Sequence, residues 1–191
     1  MIQSNSLVIS KLLKINAHLG RPKLRTSHVS RYFLYGLRSN TRAIFDLEKT
    51  LTCIRRACHF LESILDKQGC ILFVSEGPNS PYNAIIKETA LKTNQSFITT
   101  KWIGGLLTNW KHISYYNHLS YDRPSCLIVF NPCLNFTAIQ EANTLGIPVV
   151  SLMNSNVPNH LKIDYPIPVN HNSISFIYLF CNLIVKLTKL E

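Results

Sequence analysis

Acidic residues are absent from the opening segment of this chain. Nothing before Asp46 carries a negative side chain, while Lys11, Lys14, Arg21, Lys23, Arg25, Arg31, Arg38 and Arg42 all precede it. Over 191 residues, 10 Asp and Glu face 20 Lys and Arg, a formal net charge of +10. Such an imbalance adds self-repulsion to the compact state and points to a polyanionic partner, nucleic acid or an anionic membrane surface. Long apolar runs are missing too. The best, from Ile174 to Val185, is shorter than the roughly 20 residues of a membrane span and ends at Lys186, so a buried terminal helix is expected there.

Metal-ligand spacing is also lacking. Cys53, Cys58, Cys70, Cys126, Cys133 and Cys181 include no CxxC pair, and His18, His28, His59, His112, His118, His160 and His171 are scattered. No metal, cofactor or disulfide framework is expected, and the cysteines read as small buried apolar residues of a reducing compartment. The phosphate loops GxGxxG and GxxxxGKS/T and the nucleophile elbow GxSxG do not occur, so the common signatures of nucleotide and acyl-transfer enzymes are missing.

What is present is the composition of a folded protein. Apolar residues make up 46% and charged residues 16%, too apolar for a disordered tail, and the length suffices for one domain with a real core. That domain is expected to span 1–191, with a basic N-terminal helix and arm over 1–42 and an α/β core over 43–191. Leu47, Leu51, Ile54, Cys58, Leu61 and Leu65 recur at alternating steps of four and three, which predicts a helix over 47–67. Asp46 and Glu48 stand at its start, where acids are favoured electrostatically, and read as capping residues. Gly69 ends the helix, and the unbroken apolar run over 70–74 predicts a strand covered on both faces.

The alternation continues with helices over 83–92, 137–145 and 173–189 and strands over 96–99, 126–130 and 149–152, while 154–172 reads as a polar, proline-containing loop. With 43–45 as a first strand, the order predicts an α/β fold with a mostly parallel five-stranded sheet and helices on both faces. In such a sheet ligands bind beyond the carboxyl ends of the strands. There the segment from Ser75 to Pro81 has prolines without N–H groups, and Glu76 would repel a phosphate. No catalytic residue is assigned and no small-molecule substrate is expected.

At the other end of the chain, Leu7, Leu12, Leu13 and Ala17 suit a docked amphipathic helix, although the stretch also has the composition of an organelle transit peptide. Tyr32, Phe33 and Tyr35 interleave with the early bases and offer faces on which unpaired nucleic-acid bases stack. Both tryptophans fall within Lys101-Trp102-Ile103-Gly104-Gly105-Leu106-Leu107-Thr108-Asn109-Trp110-Lys111. The glycines permit a tight bend and the tryptophans anchor it, while Lys101, Lys111 and His112 supply phosphate donors. Physically the segment reads equally well as a packed turn whose tryptophans fill the core.

This segment resembles the hallmark motif of the bacterial-type small-subunit ribosomal protein S-two family. Four further stretches agree in order: Ala17-His18-Leu19-Gly20, Phe45-Asp46-Leu47-Glu48-Lys49-Thr50, Glu141-Ala142-Asn143 with Leu145-Gly146-Ile147-Pro148-Val149, and Asp164-Tyr165-Pro166-Ile167-Pro168. The resemblance implies a Rossmann-like three-layer sandwich without a catalytic site, a structural constituent of the small ribosomal subunit. Its implied partners are small-subunit ribosomal RNA and neighbouring small-subunit ribosomal proteins, with no membrane. By position the signature falls on His18, Gly20, Trp102, Gly104, Gly105, Thr108, Asn109 and Trp110. The candidate rRNA contacts are Arg21, Lys23, Arg25, Arg31, Arg38, Arg42, Lys101, Lys111 and His112.

Three departures from the family pattern stand out. Bacterial relatives carry a long helical hairpin after the tryptophan motif, where only His112 to Pro124 stand here. The loop from Met153 to Pro158 lacks the family's acids, and Val169 replaces a glycine. Together with the Asn, Ile, Tyr and Phe usage these suggest an organellar version, with mitochondrion ahead of plastid. Residues 1–13 are expected to be the family's first helix, so that no cleaved presequence is required and the protein would be made inside the organelle. Two other readings stay open: a Rossmann-like enzyme acting on an anionic small molecule near Ser75 and Asn131, and a peripheral membrane protein using the basic N-terminus and the apolar C-terminal helix.

Overall fold

The computed structural model describes residues 2–22, 31–38, 42–111, 122–158 and 160–188. In chain order these form α1 (Ile2–Lys14), β1 (Leu19–Pro22), β2 (Leu34–Arg38), β3 (Arg42–Phe45), α2 (Leu47–Leu65), β4 (Ile71–Val74), α3 (Asn83–Lys92), β5 (Ser96–Ile98), β6 (Cys126–Val129), α4 (Phe136–Thr144), β7 (Val149–Met153), β8 (Tyr165–Pro168) and α5 (Ile174–Leu187). The main sheet has the order β5-β4-β6-β7-β8, and every neighbouring pair is parallel.

Successive side chains of a strand point to opposite faces, and here both faces are covered. Ile71, Phe73, Ile128, Phe130, Val150, Leu152 and Ile167 pack with apolar residues of α1, α2, α3 and α5. Leu72, Val74, Leu127, Val129, Val149 and Met153 pack instead with Ala138, Ile139 and Ala142 of α4 and with Trp102, Leu106, Leu107 and Trp110. The result is the expected three-layer α/β sandwich, in which the tryptophan segment does part of the work of a covering helix.

Two expected elements are corrected. Residues 43–45 do not belong to the parallel sheet, because β3 pairs antiparallel with both β1 and β2 in a separate three-stranded sheet of order β1-β3-β2. The fifth parallel strand is β8, inside the stretch read as a loop. Pro166 and Pro168 disguise it, since proline donates no hydrogen bond, and for the same reason β8 is confined to the edge of the sheet.

Helix α2 starts as expected: the Asp46 carboxylate accepts from the backbone N–H groups of Glu48 at 3.0 Å and Lys49 at 3.4 Å, a capping arrangement. Its end is set by Gln68, which takes a left-handed φ of 56°, with the Gly69 N–H donating back to the Ile64 carbonyl at 2.9 Å. A Cβ on Gly69 would meet Ile64 Cγ2 at 2.8 Å, so this position also demands glycine for space. Cys126 and Cys181 are buried, which raises their thiol pKa values, while Cys53, Cys58, Cys70 and Cys133 are half-buried.

The N-terminal elements close over the carboxyl end of the main sheet. Of the residues expected on one docked helix, Leu12 is buried in α1 and Ala17 is buried just beyond its end, whereas Leu7 and Leu13 face solvent. The Asn170 N–H donates to the Ala17 carbonyl at 3.0 Å and the Ser173 hydroxyl to the Ile15 carbonyl at 2.8 Å. Among the described residues, no helix is long and apolar enough to cross a membrane.

Ile128 lies at the centre of the central strand and is fully buried. Replacing it with alanine should lower the unfolding free energy in urea by about 2–5 kcal/mol; a loss well under that range would contradict its central place in the core.

Candidate nucleic-acid interface

The tryptophan segment is a turn held by one carboxylate. Glu141, the lone acid of α4, accepts from Trp102 Nε1 at 3.2 Å and from the Gly105 N–H at 2.8 Å through one oxygen, and from the Leu107 N–H at 3.0 Å through the other. Gly105 adopts φ +86°, a left-handed conformation that allows its N–H to turn toward that carboxylate. The Asn109 N–H and the Thr108 hydroxyl then both donate to the Gly105 carbonyl, at 2.8 and 3.1 Å.

This geometry divides the signature into two sets. Trp102 and Trp110 are buried with Leu106 and Leu107, so the tryptophans are core residues. Lys101, Gly104, Thr108, Asn109 and Lys111 are exposed and rim the turn. A Cβ on Gly104 would meet nothing within 4 Å, so the space over that position is open. The role of Glu141 was not anticipated; the available signal was a single charged residue in an otherwise uncharged helix.

A second basic site lies on the three-stranded sheet. In the β2–β3 register Arg38 stands opposite Arg42, and both are exposed. Like charges directly opposite each other on antiparallel strands are destabilising. Burial holds the half-buried His18 imidazole below its ordinary pKa, and the Arg38 guanidinium adds to the effect. Gly20 is required for close packing: a Cβ there would lie 3.1 Å from both Cβ and the carbonyl of Ala43 and 3.3 Å from the Ser155 hydroxyl.

Arg31 is also exposed, and Arg21 stands in β1. Lys23, Arg25 and His112 lie outside the described residues. The structure therefore brings Arg38 and Arg42 together with His18, and Lys101 and Lys111 onto one turn.

The strand-end loops that an enzyme would use are occupied by mutual bonds. The Ser75 hydroxyl donates to Asn83 Oδ1. Asn131 Nδ2 donates to Glu76 Oε1 at 2.8 Å, and Asn135 Nδ2 donates to the Ser75 carbonyl at 2.8 Å. Glu76 also lies 3.9 Å from Nε2 of the buried His171. Among the described residues, no group of three His, Cys, Asp or Glu is placed to hold a metal ion.

Glu141→Ala should unseat the tryptophan turn. Three hydrogen bonds to a charged acceptor are lost at once, so a destabilisation of about 2–4 kcal/mol is expected, with a red shift of tryptophan emission as Trp102 is released. Unchanged emission with unchanged stability would show that the clasp is dispensable. Glu141→Gln, which keeps one acceptor oxygen, should lose less.

The sequence matches the family model described as Ribosomal protein S2 over residues 12–122 and 117–189. It is 44% identical to the small ribosomal subunit protein uS2m of Marchantia polymorpha, over 97% of this chain and 92% of that protein. Identity to uS2m of Arabidopsis thaliana is 36%, covering 95% and 87% respectively. Identity to uS2 of Mesorhizobium japonicum is 29%, covering 92% and 81%. With its tryptophan turn, its parallel sheet and matches running nearly end to end, the chain belongs to the ribosomal protein S2 family.

Proposed function

We propose that this chain is a structural constituent of the small subunit of a mitochondrial ribosome, that it binds small-subunit rRNA and neighbouring small-subunit proteins, and that it catalyses no reaction. The observation that carries the rRNA reading is the pairing of Arg38 with Arg42 across β2 and β3. Two exposed arginines side by side make a basic patch that suits a polyanion, and RNA phosphate is the polyanion of a ribosome. Lys101 and Lys111 on the tryptophan turn offer a separate basic site and the exposed Arg31 a further base; Arg21, Lys23, Arg25 and His112 complete the candidate set.

The name uS2m of the Marchantia polymorpha and Arabidopsis thaliana relatives favours mitochondrion over plastid. We read residues 1–191 as one domain, since the segment that joins α1 to β1 is bonded to the residues that follow β8. The two family matches overlap at residues 117–122, within the short interval that stands where bacterial relatives carry a hairpin, which supports its absence. The enzyme reading has no such support, because Ser75 and Asn131 are engaged in bracing their own loops.

Arg38→Glu separates binding from folding. Arg38 is exposed, so the free chain should keep its fold, with thermal stability within a few degrees of wild type. Incorporation into small subunits should fall, and the salt dependence of binding to rRNA should become shallower by about one phosphate contact. In sucrose gradients of mitochondrial lysate the wild-type chain is expected to comigrate with the small subunit at low and high salt. A free, low-mass peak under both conditions would overturn the ribosomal reading, and unimpaired incorporation of the variant would remove Arg38 from the interface.

A further inference from the structure

Away from the tryptophan turn, a cavity of about 730 Å³ opens between the residues preceding β2, the side of α2 and the edge strand β8. Its volume is that of a site for a nucleotide-sized guest. Tyr32, Phe33 and Tyr165 form aromatic walls, and Glu48, Lys49 and Arg56 contribute polar groups. Three of its lining residues are aromatic, so the hollow offers ring faces to a planar guest.

The rings are set before anything enters. Tyr165 stacks on Phe60 with centroids 4.1 Å apart and planes 14° from parallel, so one face is backed and the ring cannot swing freely. Tyr32 meets Phe33 edge-on at 5.1 Å and 83°. The Lys49 ammonium lies 4.7 Å from the Tyr32 ring centre and donates to the Tyr32 carbonyl at 2.7 Å, which fixes that side. Preorganised rings reduce the ordering cost of binding.

The charges in the lining are unequal in availability. Asp46 already accepts two N–H groups at the start of α2, and Asp164 accepts the Val149 N–H at 3.0 Å. Glu48 and Arg56 are exposed. A carboxylate can accept from the amino group of a base, and a guanidinium suits a phosphate. A guanidinium guest from a basic peptide would meet three carboxylates, Asp46, Glu48 and Asp164, two of them already accepting backbone N–H groups, and two cations, Lys49 and Arg56.

We propose that this cavity receives one unpaired nucleotide of RNA, its base among Tyr32, Phe33 and Tyr165, its edge toward Glu48 and its phosphate on Arg56. The proposal rests on the reading that the chain binds rRNA, and adds single-strand recognition to a contact otherwise made by surface charge. Duplex RNA cannot use the site, because its bases are already stacked and paired, whereas unpaired bases can be splayed onto aromatic side chains.

The test uses the full chain, with fluorescence anisotropy on two probes: a short single-stranded RNA of mixed adenine and cytosine, and an RNA duplex of equal length. Tyr32→Ala and Tyr165→Leu should each weaken single-strand binding by about 5- to 100-fold, the loss of one base–aromatic stack, and change duplex binding by less than about 2-fold. Tyr32 is 70% exposed, so that variant stays informative if Tyr165→Leu folds poorly. Equal losses on both probes, or no loss with Tyr32→Ala, would overturn the proposal. So would a Tyr32→Ala variant that lost affinity for an arginine-rich peptide and kept it for the single strand. A wild-type chain that binds neither RNA would instead sink the rRNA reading itself.

Discussion

The carboxylate of Glu141 is the interaction on which the tryptophan turn and its layer of the sandwich depend. The turn it holds buries backbone N–H groups, and such groups need acceptors once water is gone. One charged side chain serves two of them and an indole N–H besides. Since α4 and this turn together cover one face of the sheet, the same residue joins the two parts of that layer. The consequence is mechanical. The backbone that carries Lys101, Thr108, Asn109 and Lys111 is thereby held in place, so less of it has to be ordered on binding.

The main sheet has the topology that elsewhere offers a ligand crevice at its carboxyl edge, yet here that edge is used up. The segment from Ile15 to Gly20 lies over the exits of β7 and β8, bonded to Asn170 and Ser173 and packed on Ser155. The exits of β4 and β6 are braced by Ser75, Glu76, Asn83, Asn131 and Asn135 bonding to one another. Polar residues at strand ends are thus no sign of catalysis by themselves; what matters is whether their donors and acceptors are already matched. With the crevice closed, what remains for recognition is the outer surface, where the positive charge lies.

Much of this was legible in the sequence because burial leaves periodic traces. The helix starting at Leu47 declares itself by its apolar stripe, and β4 and β6, buried on both faces, by unbroken apolar runs. Strands at the periphery leave weaker traces. Ala43, Ile44 and Phe45 look alike whether they join a parallel sheet or an antiparallel one, because the difference lies in which partners flank them. The edge strand β8 carries two prolines that a central strand would exclude, so the residues that mark its position also hide its existence. In the candidate site, the tryptophans and glycines were visible as a motif, but composition could not tell anchors from contacts. That separation required the placement of Glu141, 36 positions from Gly105.

Electrostatics connects folding and function with opposite signs. Ten surplus positive charges raise the energy of the free chain, and the apolar core must offset that cost. Salt screens the repulsion and so favours the isolated fold, yet the same screening weakens binding to RNA. Phosphate does what salt does to the repulsion and adds directed hydrogen bonds that salt cannot supply. Net positive charge thus costs the free chain stability while it favours a polyanionic partner, so folding and RNA binding respond to salt in opposite directions.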